Sequence, residues 1–149
     1  GDFKLPIHIS EVSIPSYSNN SYDEELQAEL TERLFKLWFS SKYCEAIVWW
    51  NFCDGTAYEG ESAYFAGLLR NDCSEKPAYK VLDRLINKEW NTTLEDNISG
   101  LLRFSGFYGE YDIEAEYQGK KSITTVNLTQ ANTGYDNRLC DFSVKEIIL

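Results

Sequence analysis

The sequence predicts an α/β unit followed by a small antiparallel β element, and three observations carry that prediction. Two short apolar runs, residues 5–14 and 45–52, are rich in Ile, Val and Trp and read as strands; the second is apolar on both faces, as a covered parallel strand is. Each run is followed by a helical pattern, over 21–40 and 74–87. The order β-α-β-α implies a parallel sheet with crossover helices. From Trp90 onward the texture changes to short alternating runs at 101–107, 111–117, 122–128 and 140–148, which read as antiparallel strands. The expected domains are therefore residues 1–90 and 91–149.

The first strand is entered through Pro6, tolerated there because the first residue owes no ladder N–H. A period of two places Ile7, Ile9 and Glu11 on one face and His8, Ser10 and Val12 on the other. Residues 15–20 have loop composition. Ser21-Tyr22-Asp23-Glu24 has the S-x-x-E spacing of a capping box, and Asp23, Glu24 and Glu25 suit the positive end of a helix dipole. Leu26, Leu30, Leu34, Leu37 and Trp38 recur at helical spacing and predict the core-facing stripe. In the second strand Trp49 and Trp50 are consecutive and must face opposite sides, so Trp49 is expected in the core and Trp50 at the surface. The loop at 53–61 is rich in turn formers, and 63–69 is apolar and ambiguous. Ser74 is the expected N-cap of the second helix, Pro77 lies in its first turn, and Ala78, Val81, Leu82, Leu85 and Ile86 carry it to about residue 87. Tyr117-Gln118-Gly119-Lys120 reads as a hairpin turn and Asn132-Thr133-Gly134 as a loop.

A length of 149 residues suits one ordinary domain or two small ones. Aromatics make up 15% of the chain, and such rigid amphipathic rings suit a large core or a sugar-binding cleft. The net charge of −10 argues against nucleic acid and against an anionic membrane, both of which demand a basic surface. No run approaches the length of a membrane span, and Gly1-Asp2-Phe3-Lys4 leads straight into the first strand with no signal-peptide pattern. Cys44, Cys53, Cys73 and Cys140 allow three full pairings, and their spacing fits neither CxxC nor a zinc site. Buried free thiols are the default, with a Cys53–Cys73 bridge left open if both lie in loops on one rim. His8 is the single histidine and has no clustered partners, so it is expected to pack in the strand; no metal and no cofactor are expected.

Two residues point to chemistry. Glu11 is a charge at the C-terminal end of an otherwise apolar strand, the end where ligands bind in parallel α/β folds. The ordinary alternative is that it begins a solvated loop. Trp50, if exposed, offers a flat floor for the C–H face of a sugar. Asp54, Glu59 and Glu61 lie on the neighbouring rim; of these Asp54 is more readily read as orienting loops by hydrogen bonding than as an acid.

Ile7-His8-Ile9-Ser10-Glu11-Val12 resembles the I-x-[IV]-[TS]-E-[LV] segment on barrel strand seven of glycoside hydrolase family 10, the endo-β-1,4-xylanases. Val48-Trp49-Trp50-Asn51-Phe52-Cys53-Asp54 with Tyr58 resembles V-x-W-G-[VLF]-[TS]-D-x-x-[SA]-W on strand eight, and Gly67-Leu68-Leu69 with Lys76-Pro77-Ala78-Tyr79 resembles the lead into the last barrel helix. Gly106-Phe107-Tyr108-Gly109-Glu110-Tyr111 is similar to a β extension that follows some of these barrels. The resemblance implies that 1–90 is the C-terminal βαβα part of a (β/α)8 TIM barrel and that 91–149 is an appended antiparallel sheet or sandwich. It implies Glu11 as the catalytic nucleophile, Trp50, Tyr58 and Asp54 as substrate-binding residues, xylan or xylo-oligosaccharide as the partner, and a secreted or cell-surface setting. Three positions depart from the family pattern: Ser13 stands where an Asp is frequent, Asn51 where a Gly is usual, and Tyr58 where a second Trp is usual.

Retaining glycosidases use two carboxyl groups roughly 5–5.5 Å apart, one as nucleophile and one as acid/base. The family's acid/base lies in an N-E motif on barrel strand four, and only ten residues precede Glu11 here. The expectation is a fragment of a retaining endo-1,4-β-xylanase, inactive alone and self-associating through exposed barrel edges. The rival expectation is a non-catalytic glycan-binding or interaction module on 91–149, favoured if Tyr108, Tyr111 or Tyr117 form an exposed platform and disfavoured if those rings pack against the α/β half.

Overall fold

The computed structural model describes residues 5–97, 100, 104, 106–128, 134–136 and 139–141. The chain divides into two compact units, Gly1–Trp90 and Asn91–Leu149. The first is mixed α/β: β1 (Ile7–Val12), α1 (Ser21–Phe39), β2 (Cys44–Trp49) and α2 (Pro77–Arg84), with a 3-10 turn at Glu59–Tyr64 before α2. A wider π turn, Leu85–Glu89, prolongs α2 and is closed by the Trp90 N–H donating to the Leu85 carbonyl at 2.8 Å.

β1 and β2 pair in parallel with α1 between them in the chain. They form a two-stranded sheet, and no third strand joins it among the described residues, so there is no barrel within them. Leu5, Ile7 and Val48 are about half exposed or more. The register of β1 against β2 shifts between Ile9 and Val12. Ile9 and Val12, three apart, both reach the core, which strict alternation forbids and a local irregularity permits. Ile7, expected to share the face of Ile9, lies 51% exposed beyond a second register shift.

The core gathers Val12 and Ile14 from β1 and its exit, Ala28 and Phe35 from α1, Leu68 from the long loop, and Ala78, Leu82 and Leu85 from the α2 region. Trp49 packs on Phe35 with ring centroids 6.1 Å apart, and Phe39 stacks on Trp90 at 3.9 Å.

The orientation of α1 corrects two expectations. Its N-cap is Asn20, not Ser21; the Asn20 side chain accepts from the Asp23 N–H at 2.9 Å, and Glu24 takes no part in a capping box. The buried face is Glu24, Gln27, Ala28, Thr31 and Phe35, whereas Leu26, Leu30 and Leu37 are 42–63% exposed. At 3.6 residues per turn the two faces lie roughly 140° apart. The reason is polar: this side of α1 meets loop backbone that needs partners. Gln27 Nε2 donates to the Ile14 carbonyl at 2.7 Å and the Gly67 carbonyl at 3.3 Å, and Glu24 pairs with Arg70. Leu34 and Trp38 alone of the predicted stripe pack on the core, half-buried.

In the second unit β3 (Gly109–Tyr117) and β4 (Lys120–Leu128) form an antiparallel hairpin in unbroken register from Gly109–Leu128 to Tyr117–Lys120. Gln118 and Gly119 both have positive φ, 50° and 77°, the signature of the turn whose twist matches that of the strands. Tyr111, Ile113 and Ala115 line one half-buried face, and Glu110, Asp112, Glu114 and Glu116 face solvent. β5 (Gly134–Asp136) pairs antiparallel with β6 (Leu139–Asp141). Of the strand expected at 101–107, the described residues 104, 106 and 107 are not in a strand; of that expected at 140–148, residues 140 and 141 are described and lie in β6. The other positions of both lie outside the described residues.

Candidate functional site

The candidate site lies at the C-terminal ends of β1 and β2. The Trp50 N–H donates to the Val12 carbonyl at 2.9 Å, so the backbones carrying Glu11 and Trp50 run side by side. Glu11 is exposed at the penultimate position of β1. Trp49 turns inward, where its indole N–H reaches the Asn51 carbonyl at 2.9 Å and the Ala66 carbonyl at 3.1 Å. Trp50 turns outward and is 50% exposed, its indole N–H donating to Glu61 Oε2 at 3.1 Å. Glu61 thus steadies the edge of the ring and leaves its faces free of that contact. Tyr58 is 73% exposed and immediately precedes the 3-10 turn that carries Glu61.

Two departures from the xylanase pattern meet here. Asn51 is buried, and its Nδ2 donates to Ser13 Oγ at 3.4 Å, so the Asn in the Gly position contacts the Ser in the Asp position. The amide and hydroxyl pair link the exits of the two strands through uncharged groups.

Asp54, expected to touch substrate, is instead buried in an ion pair. Its Oδ2 lies 3.2 Å from Lys76 Nζ, and its Oδ1 accepts the Gly67 N–H at 2.8 Å. The Lys76 side chain is fully buried and also donates to the Phe65 carbonyl at 2.8 Å and to Ser16 Oγ at 3.3 Å. Burial pushes the Lys76 ammonium below its ordinary pKa against the opposing pull of Asp54. With both oxygens engaged inside, Asp54 sets the path of the loop rather than presenting a carboxylate to a ligand. Gly67 is required at this junction: a Cβ there would meet the Asp54 nitrogen at 2.4 Å and the Cys53 carbonyl carbon at 2.7 Å.

A second ion pair anchors the same loop to α1. Arg70 holds Glu24 through both carboxylate oxygens, with Nε 2.9 Å from Oε1, and its Nη1 donates to the Glu75 carbonyl at 2.8 Å. The Glu24 hydrogen bond keeps the Arg70 guanidinium above its ordinary pKa.

Lys76, Arg70, Glu24 and Gln27 are the supporting residues that sequence reasoning missed. A signal existed for Lys76: a cation immediately before a helix's first turn opposes the helix dipole, so its charge must be used elsewhere. His8 also departs from expectation. It is exposed, 3.5 Å from Glu45, rather than packed. Among the described residues no three His, Cys, Asp or Glu side chains cluster as metal ligands, and no helix is long and apolar enough to cross a membrane.

No family model matches the chain. Among curated proteins it is 31% identical over 131 residues to Anti-sigma-I factor RsgI6 of Acetivibrio thermocellus, an alignment that takes in 86% of this chain and 16% of that protein. The chain therefore spans about a sixth of that relative's length. Among solved structures it is similar to xylanase 10B from Thermotoga petrophila RKU-1 in complex with xylobiose, with a TM-score of 0.48 and 26% identity over 57% of this chain and 28% of that one. It is also similar to a family 39 glycoside hydrolase from Bacteroides cellulosilyticus WH2, with a TM-score of 0.43 and 18% identity over 89% of this chain and 26% of that one.

Proposed function

We propose that residues 1–90 form part of a β-1,4-xylan-binding site related to the retaining xylanases of glycoside hydrolase family 10, and that the chain by itself binds xylan without hydrolysing it. The observation that carries this reading is that Glu11 and Trp50 are both exposed and stand on adjoining backbone segments at the C-terminal ends of two parallel strands. A xylose unit lying on the Trp50 indole would present its ring to the rim that bears Glu11. Tyr58 would extend the aromatic surface, and Glu11 would be the carboxylate in the nucleophile position.

Hydrolysis with retention needs a second carboxyl group that can donate a proton to the leaving oxygen. Asp54 is held by Lys76 and Gly67, and Glu61 is occupied with the Trp50 N–H. Neither is disposed as a general acid, which supports binding without turnover. The test is reducing-sugar release from xylan by the purified chain beside its Glu11→Ala variant. Equal, background release from both agrees with the proposal; release by the parent that Glu11→Ala abolishes overturns it.

A second reading keeps the sugar and changes the purpose. The relative aligned over 86% of this chain bears the name of an anti-sigma factor, which favours a non-catalytic role for this rim within a larger regulatory protein. A glycan platform on the second unit is less well supported. Tyr108, just before β3, and Tyr117, at its end, are exposed but separated by the length of that nine-residue strand, roughly 30 Å, too far to share one sugar. The Tyr111 ring is tilted against Phe104 and its hydroxyl donates to the Phe107 carbonyl at 2.7 Å.

A further inference from the structure

Cys53 and Cys73 lie twenty positions apart in sequence, and the fold brings them together. Leu69 is the hinge of that approach. It bridges to Cys53 on one side and to Glu75 on the other, and the Asp54 N–H donates to the Leu69 carbonyl at 2.9 Å. The chain then turns tightly, with the Cys73 N–H donating to the Arg70 carbonyl at 2.9 Å and Cys73 itself at φ 63°. The turn carries Cys73 back toward the strand exit that bears Cys53, near enough for each sulfur to act on the other's charge. Cys53 is half-buried and Cys73 exposed. Cys44 starts β2 at the opposite end of the strand and is turned to the Ala46 carbonyl, and Cys140 belongs to the other unit.

We propose that Cys53 and Cys73 are a redox pair whose disulfide locks the loop after β2, the loop that carries Asp54 and Tyr58, to the turn before α2. The oxidant is a low-molecular-weight disulfide. The Cys73 thiolate attacks one of its sulfurs and releases one small thiol, leaving a mixed disulfide on the exposed cysteine. The Cys53 thiolate then attacks Cys73 Sγ and releases the second small thiol. Two S–H bonds are lost from the protein, one S–S bond forms, and the two electrons reside on the two small thiols. Burial first, then the neighbouring Cys73 and the Asp54 charge, raises the Cys53 thiol above its ordinary pKa, so the closing step quickens as pH rises. The pairing depends on the local fold alone and stands whether or not the rim binds xylan.

The test incubates the folded full chain with oxidised glutathione, blocks remaining thiols with an alkylating agent, and maps the unreduced peptides by mass. The expected result is loss of two of the four thiols, with the peptides of Cys53 and Cys73 joined. The same oxidation in concentrated urea should give mixed pairings. A Cys44→Ser, Cys140→Ser double variant should form the same bridge, and the parent chain decides the question if that variant does not fold. Recovery of Cys53 and Cys73 both alkylated, both as separate glutathione adducts, or bridged to Cys44 or Cys140 overturns the proposal.

Discussion

Replacing Lys76 with Met removes a fully buried cation and leaves the Asp54 carboxylate, 5% exposed, without its counter-charge. The pair is separated by 3.2 Å, which at an effective dielectric of about 20 is an attraction of about 5 kcal/mol, set against the desolvation of both ions. Losing one partner of such a pair costs about 3–5 kcal/mol, because the other charge stays buried. The variant also frees the Phe65 carbonyl and Ser16 Oγ of a donor, which adds to the cost. Asp54→Asn should cost less, since the amide oxygen can still accept the Gly67 N–H. The double variant should be milder than the sum of the two, because no isolated charge remains. Urea unfolding followed by tryptophan fluorescence reads this directly, and with a slope of about 1–3 kcal/mol per molar the Lys76→Met midpoint should fall by more than about 1 M. A Lys76→Met shift worth under about 1 kcal/mol, or additivity of the two single variants, would refute the view that this pair holds the loop.

Other outcomes follow from the same contacts. Gly67→Ala should destabilise by about 1–3 kcal/mol in the same urea assay, since the added methyl meets backbone that cannot yield. Glu24→Ala should cost about 1.5–3 kcal/mol, the worth of a buried hydrogen-bonded charge, and a near-neutral result would remove Arg70 from the account. Lys36 first and then Arg84 hold the Glu32 carboxyl below its ordinary 4.5. The unfolded chain therefore binds this proton at higher pH than the folded one, and the stability from Glu32 is present above 4.5 and is lost as pH falls through the folded value. Glu32→Gln should flatten the acid limb of a stability–pH curve, and an unchanged limb would contradict the assignment. The purified chain should self-associate through Leu26, Leu30 and Leu37, with Leu30→Lys shifting it toward monomer in light scattering; a clean monomer in the parent chain would speak against this.

The backbone elements were largely legible, and the reasons are local. Pro77 marks the start of α2, Gln118-Gly119 lies between two alternating runs, and the apolar run around Ile9 ends where Glu11 and loop composition begin. The facing of α1 was not legible, because hydrophobic periodicity asks only where carbon lies. The buried side of this helix is polar on account of carbonyls and an arginine contributed by residues 14, 67 and 70, which no window on residues 21–39 contains. The same limit hid the fate of Asp54: its partner Lys76 is 22 residues away, and only the folded loop brings them together. Trp49 and Trp50 were legible because consecutive strand residues must diverge. The contact of Ser13 with Asn51 was not, since each looked like an isolated departure until the two strand exits were adjacent.

The most direct test of the central claim is migration of the native chain through a gel containing soluble xylan, beside its Trp50→Ala variant and an unrelated protein as mobility standard. Retardation of the parent chain, lost in Trp50→Ala, is the predicted result. An unretarded parent, or equal retardation of parent and variant, would contradict the claim that the rim at Glu11 and Trp50 binds xylan.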